Sequence, residues 1–116
     1  MFLKLNHQKL SIYKVSKLLV VEAYKFTSKL PSEEKFGMIS QIRIASLSVH
    51  LNISEGASRS SETERIRFYE IARGSLIEVD SAIDIACQLN YVKNSELEVF
   101  GSIIIECFKI LSGLMK

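Results

Sequence analysis

Cysteine, proline and glycine are scarce in this chain of 116 residues, and each scarcity excludes a class of protein. Two cysteines are too few for a scaffold held together by disulfides. One proline and five glycines supply too few turn residues for a β-sandwich or a β-barrel. Apolar residues make up 47% of the chain, which excludes a disordered segment. The composition therefore favours a helical domain of ordinary size.

The patterns of common active sites are also missing. The two histidines, His7 and His50, have no glutamate three residues before them, so the di-iron motif of helical bundles is absent. The glycines are isolated from one another, which excludes a phosphate-binding loop. No nucleophile elbow is present, and neither cysteine has a histidine partner in view. We expect a protein that is not an enzyme and that has no metal site and no cofactor.

Four segments carry apolar residues at the 3–4 spacing of a helix, at about residues 11–30, 33–55, 62–89 and 95–114. The loops between them are short, which forces consecutive helices to run antiparallel. The sequence therefore predicts an all-α protein: one domain, residues 1–116, folded as an antiparallel up-down-up-down four-helix bundle. The predicted core stripes are Ile12, Val15, Leu19, Ala23, Phe26 and Leu30; Met38, Ile42, Ala45, Val49 and Ile53; Phe68, Ala72, Ser75, Val79, Ala82, Ala86 and Leu89; and Leu97, Phe100, Ile104, Cys107, Leu111 and Leu114.

Polar residues and glycine mark the predicted helix ends. Ser32, Ser61 and Ser95 are candidate N-caps, the last two with a glutamate three residues later. Gly56 and Asn90 stand where the second and third helices should end, and we expect both to adopt the left-handed conformation.

The apolar content exceeds what a four-helix core needs. Ile44, Leu47 and Leu51 follow helical spacing on the second helix, apart from its main stripe. A helix in a monomeric bundle needs one apolar face, so this second face predicts a homo-oligomer. The alternative is a wide core stripe in a monomer.

Charge is distributed unevenly along the chain. Residues 1–59 hold nine basic and four acidic groups, whereas residues 60–116 hold six basic and nine acidic groups. The first helix carries Lys14, Lys17, Lys25 and Lys29, which are candidates for contacts with RNA or DNA phosphates. The alternative is an ordinary solvated helix face.

The cysteines, the first ten residues and the most apolar stretch indicate where in the cell the protein is found. Cys87 and Cys107 lie in apolar segments without metal-ligand spacing, which is typical of reduced, buried thiols. Residues 1–10 lack the pattern of a signal peptide. The most apolar stretch contains Glu106 and Lys109 and is too short and polar for a membrane span. We expect a cytoplasmic protein that does not enter a membrane.

A polar cluster accompanies the second and third helices: Asn52, Glu55, Arg59, Arg73, Ser75 and Glu78. It predicts either a binding site or a hydrogen-bonded network that sets register, in the bundle or at an interface. We favour the network, because no nucleophile or metal ligand accompanies these residues. Gly74 lies inside the third helix, where it should cost about 1 kcal/mol relative to alanine. We expect it to permit close packing, so that a large residue there would damage the bundle.

Two motifs in this region resemble a known family. They are residues 47–56, with Arg59 following, and residues 68–78. The segments 30–43 and 89–91 fit as well, so the resemblance spans roughly residues 12–112. The chain resembles the bacterial four-helix-bundle proteins encoded in intervening sequences of large-subunit ribosomal RNA genes. That family includes the accessory variability protein of diversity-generating retroelements.

The resemblance implies an assembly and a type of partner. It implies a bundle that forms a ring, typically a homopentamer, and a connection with nucleic acid through a basic surface. We therefore expect a non-enzymatic homo-oligomer that contacts RNA or DNA through phosphates. The alternative is a scaffold or accessory subunit for another protein, without nucleic-acid binding. The second apolar face on the second helix and the acidic second half of the chain favour that alternative.

Overall fold

The computed structural model describes all residues, 1–116, and contains helices without strands. The long helices are α1 (Ser11–Thr27), α2 (Met38–Ala57), α3 (Glu62–Gln88) and α4 (Glu98–Leu114). Short 3-10 turns at Asn6–Lys9, Ser32–Glu34 and Asn94–Glu96 precede α1, α2 and α4. None of the helices combines the length and the apolar character that crossing a bilayer requires.

Each helix packs against its neighbours in the sequence, and α4 closes the bundle against α1. The contacts pair late residues of one helix with early residues of the next, as where Thr27 meets Arg43. At the same end of the bundle the rings of Phe26 and Phe100 lie 5.4 Å apart and join α1 to α4. The predicted antiparallel four-helix bundle is therefore confirmed.

The core follows the predicted stripes on α1 and α2 closely. On α1, residues from Ile12 to Phe26 at 3–4 spacing are buried, and Leu30 closes the end of the core. On α2, four of the predicted positions are buried, while Met38 is half-buried at the start of the helix. Burial of these side chains provides the main stabilisation of the bundle, because an isolated helix of this length is marginal in water.

The predicted stripe on α3 is wrong by one residue at several places. Tyr69, Leu76 and Ile83 enter the core, whereas Ser75 is half-buried and Leu89 is exposed. Two candidate stripes lie side by side on α3, and the one with the larger apolar side chains faces inward because it removes more apolar surface from water. On α4 the buried residues agree with the prediction except at the two ends, Leu97 and Leu114.

Two helix starts also differ from the prediction. Helix α2 begins at Met38, because Ser32 starts a 3-10 turn and Glu34 supplies the cap. The Glu34 carboxylate accepts a hydrogen bond from the Met38 N–H at 3.2 Å. Helix α4 begins at Glu98 and not at the predicted residue 95, because Asn94–Glu96 forms a 3-10 turn. The Glu96 carboxylate closes this turn by accepting a hydrogen bond from the Lys93 N–H at 3.0 Å.

The other termini test the predicted caps. Ser61 caps α3 as predicted, since its hydroxyl accepts from the Glu64 N–H at 3.4 Å. Asn90 has a φ of 60°, which confirms its left-handed conformation after α3. Gly56 does not have a positive φ and lies within α2, so its predicted role as a left-handed cap is wrong.

Candidate functional site

The predicted polar cluster is only partly assembled in the structure. Asn52 donates from Nδ2 to the Ser48 carbonyl at 2.9 Å and to the Ser48 hydroxyl at 3.1 Å. The hydroxyls of Ser48 and Ser75 lie 3.0 Å apart and join α2 to α3. These three half-buried side chains satisfy one another across the helix pair, so they form a structural contact. Ser48 was not among the predicted residues, although its spacing of four residues from Asn52 on one helix favours a hydrogen bond between them.

The charged members of the cluster do not join this contact. Glu55 and Arg59 form an exposed ion pair at 3.0 Å, and the Arg59 guanidinium lies 5.1 Å from the Phe68 ring centre. Arg73 and Glu78 make no side-chain hydrogen bond or ion pair within the chain. Within one chain these residues therefore do not form a single network, and a network at an interface between copies stays a prediction. Antiparallel pairing places Glu55 opposite the first turns of α3, far along the helix from Glu78.

The close contact between helices that was predicted at Gly74 occurs at Gly56. A β-carbon on Gly56 would lie 2.9 Å from the Phe68 Cβ and 3.0 Å from the Tyr69 Cε1. A β-carbon on Gly74 would meet nothing within 4 Å. The close approach expected at Gly74 is therefore absent within the chain, and Gly56 provides it instead.

The second apolar face of α2 is exposed as expected. Ile44, Leu47 and Leu51 retain between 39% and 62% of their exposure, and Tyr24 of α1 lies beside Ile44 and Leu47. We call these four residues the α1/α2 face. On the opposite side of the bundle, α3 and α4 leave a groove of about 370 Å³. This α3/α4 groove is lined by Leu76, Ile77, Asp80, Ile104, Ile105, Phe108 and Lys109.

The structure divides the four candidate lysines into two pairs. Lys14 and Lys17 share a shallow depression with the exposed Leu18 and Val21. Lys25 and Lys29 line another depression, between α1 and α4, together with two carboxylates, Glu22 and Glu96. Lys25 is also paired with Glu22 at 3.3 Å. Only the first pair therefore presents positive charge without nearby acidic side chains.

A further basic group was missed by the sequence argument. Arg43 donates from Nε to the Thr27 hydroxyl at 2.8 Å, and its guanidinium lies 4.5 Å from the Tyr24 ring centre. It lines a depression of about 370 Å³ with Lys35 and Phe36. We call this the Arg43 depression. Its residues come from α1, α2 and the loop between them, so no local sequence motif predicts this depression.

His50 anchors the other end of the α1–α2 contact. Its Nδ1 lies 2.8 Å from the Ser16 hydroxyl, and its ring is 4.7 Å from that of Tyr13. The Tyr13 ring in turn meets that of His7 at 5.6 Å, which fastens the preceding 3-10 turn to the bundle. Burial lowers the pKa of His50 below 6.5, and the charges of Lys17 and His7 lower it further.

This arrangement predicts a loss of stability in mild acid. The folded state favours neutral His50, so its stabilisation is complete above the unfolded pKa and is lost as the pH falls towards the folded pKa. We expect the urea midpoint to fall between about pH 7.5 and pH 5.5, and to fall less in His50→Gln. In the control His7→Gln the fall should persist. An equal fall in wild type and His50→Gln would contradict the assignment to His50.

The other titratable groups have structural surroundings. Burial raises the pKa of the Cys107 thiol to about 12, so it stays protonated at neutral pH and is not an activated nucleophile. The Tyr91 hydroxyl donates to Glu34 at 2.9 Å, and this hydrogen bond raises the pKa of Tyr91. It ties the α3–α4 loop to the turn before α2. No group of three or more His, Cys, Asp or Glu side chains converges as a metal site would require.

The fold and its surfaces define the class of the protein as an all-α, antiparallel four-helix bundle with exposed apolar helix faces. The model of the 23S rRNA-intervening sequence protein family matches residues 8–113, and the chain belongs to that family. This confirms the resemblance drawn from residues 47–59 and 68–78.

A solved structure shows the same fold. It is the crystal structure of a protein of unknown function from the S23 ribosomal protein family of Bacteroides thetaiotaomicron. It superposes with a TM-score of 0.82 at 23% sequence identity, over 90% of this chain and 98% of that chain. No curated protein matches the sequence significantly.

Proposed function

We propose that this protein is a non-enzymatic homo-oligomer, a pentameric ring, that associates with nucleic acid through phosphate contacts. The observation that carries the proposal is the α1/α2 face, where Tyr24, Ile44, Leu47 and Leu51 expose apolar side chains side by side. Contiguous apolar patches on a small bundle are typical of protein–protein contacts.

The positions of the apolar surfaces favour a head-to-tail contact between copies. The α1/α2 face and the α3/α4 groove lie on opposite sides of the bundle, since α1 contacts α2 and α3 contacts α4 at opposite edges. Basic Lys35 and Arg43 adjoin the first surface, and the second carries one acidic and one basic residue, Asp80 and Lys109. A contact between two different surfaces is head-to-tail, and repeated contacts of this type close into a ring when the rotation permits.

Two observations favour nucleic acid as a partner. Lys14 and Lys17 present exposed charge without a carboxylate in the same depression. The family is described by its link to intervening sequences of 23S rRNA, which favours RNA among the polyanions. Such contacts bind phosphates without reading bases, so we expect little dependence on sequence.

Light scattering after size exclusion tests both parts of the proposal. The protein alone should give a pentameric multiple of the 13.1 kDa chain mass. With structured RNA at low salt, the particle should gain the mass of the RNA, and it should lose it at moderate salt because counterion release drives such binding. A monomer at all concentrations would contradict the oligomer, and an absence of complex at micromolar protein would contradict the nucleic-acid part.

The α3/α4 groove favours a second candidate, a scaffold for another protein. Its lining is mostly apolar, with Asp80 and Lys109 as the charged residues. An apolar contact resists salt, whereas a phosphate contact does not. Purification from the native host at high salt distinguishes the two, because only a protein partner should remain bound.

A further inference from the structure

Arg43 is a fixed cation whose charge no carboxylate of the chain neutralises. The buried Thr27 hydroxyl holds its Nε at 2.8 Å, and the Tyr24 ring supports one side of the guanidinium at 4.5 Å. The ion pairs of the chain, Glu22–Lys25 and Glu55–Arg59, do not include Arg43. Its terminal nitrogens make no hydrogen bond within the chain. A half-buried guanidinium held in this way presents its remaining donors to an external anion.

The surroundings of Arg43 add a second cation and exposed aromatic surface. Lys35 lines the same depression, and its Nζ lies 5.5 Å from the ring centre of Phe36. Phe36 is 90% exposed, which is unusual for so large an apolar side chain. The hydroxyl of Ser40 also lines the depression.

Acidic side chains are absent from this lining. The carboxylate of Glu34, next to Lys35 in the sequence, does not line the depression and accepts hydrogen bonds from other groups. One of its oxygens accepts from the Met38 N–H and the other accepts from the Tyr91 hydroxyl. The positive charge of Lys35 and Arg43 is therefore directed at solvent in the depression, where it attracts anions.

From these observations we infer that the Arg43 depression binds an unpaired nucleotide of a single-stranded nucleic acid. Arg43 and Lys35 contact its phosphate, and the base stacks on the exposed ring of Phe36. A volume of about 370 Å³ is within the range of small-ligand sites. The inference rests on the nucleic-acid part of the proposed function and adds the preference for single strands, because paired bases do not offer a free face for stacking.

Nucleotides fit this depression better than an acidic peptide does. Both could place an anion on Arg43, but every nucleotide also carries a planar aromatic base close to its phosphate, whereas the side chains of aspartate and glutamate carry no ring. The exposed Phe36 ring provides a matching flat surface. Tyr24, Ile44 and Leu47 line the depression and also belong to the α1/α2 face, so the site and the proposed contact between copies share these three side chains. Lys35, Phe36 and Arg43 lie outside that face.

Fluorescence anisotropy with a labelled single strand of twelve thymidine nucleotides, called dT12 below, tests the inference on the assembled protein. Phe36→Ala should weaken binding of dT12 by about tenfold, the usual effect of losing one stacked base. The same variant should leave binding of an abasic oligomer with equal numbers of phosphates unchanged. Arg43→Gln should weaken both probes by about tenfold, since it removes a phosphate contact. Arg67→Gln, which removes an exposed charge from the first turns of α3, outside the depressions and faces described above, is the matched control and should change neither.

Each contrary result has a defined meaning. Unchanged binding of dT12 in Phe36→Ala and Arg43→Gln would overturn the site but leave the proposed function in place. An absence of binding to dT12 and to structured RNA would overturn the nucleic-acid part of the proposed function as well. Competition by a polyglutamate peptide as strong as by unlabelled dT12 would assign the site to acidic peptides and overturn the inference. A changed particle mass in either variant would identify the depression as a contact between copies and would also overturn it.

Discussion

Replacing Gly56 by alanine is expected to lower the free energy of unfolding by about 1–3 kcal/mol, the usual cost of overpacking. The new β-carbon would lie 2.9 Å from the Phe68 Cβ, an atom fixed to the backbone of α3. It would also press on the Tyr69 ring, which is buried in the core. Alanine is the better helix former by about 1 kcal/mol, but separating α2 from α3 loses contacts along the whole helix pair. Leucine at this position should be worse.

Gly74 provides the matched control within the next helix. Alanine there would meet no atom within 4 Å, so only the helix propensity should change. We expect Gly74→Ala to raise the free energy of unfolding by up to about 1 kcal/mol. Urea unfolding followed by circular dichroism measures both variants. Destabilisation by Gly74→Ala, or an unchanged midpoint in Gly56→Ala, would contradict the assignment of the close contact to Gly56.

The two glycines show how far sequence reasoning reaches in this protein. Periodicity predicted four helices and most of the core, because burial of one stripe per helix dominates the stability of a bundle. It placed Gly56 at a helix end and Gly74 inside a helix, but it could not show which of them faces a neighbouring helix. That distinction depends on the rotation of each helix about its axis. On α3 the same uncertainty placed Ser75 in the core instead of Leu76.

The candidate sites depend on contacts between helices, so sequence predicted them less well. The contact of Asn52 and Ser75 through Ser48 was partly predictable, because Asn52 and Ser75 are polar and lie on helices that had to be neighbours. The Arg43 depression was not, since Arg43 meets Thr27 and Tyr24 only after α1 and α2 have packed. The lysines of α1 were correctly predicted to lie on one helix, but the acidic groups beside Lys25 come from the preceding turn of α1 and from the 3-10 turn before α4.

The largest expected change in assembly comes from placing a charge on the α1/α2 face. We expect Leu51→Glu to convert the proposed pentamer to a species of 13.1 kDa. A carboxylate buried without a partner costs several kcal/mol, and a ring repeats this cost at each contact. Leu51 is 52% exposed in the single chain, so the same charge should leave the bundle folded. Light scattering measures the mass, and circular dichroism verifies the helical content.

Leu114→Glu is the control for this variant. Leu114 is 44% exposed at the last residue of α4, outside the α1/α2 face, and receives the same change of size and charge. We expect it to keep the mass of the wild type. If Leu51→Glu keeps that mass as well, copies do not meet through the α1/α2 face, and the exposed apolar residues of α2 must face another partner. Dissociation by both variants would show that added negative charge, rather than its position, breaks the ring.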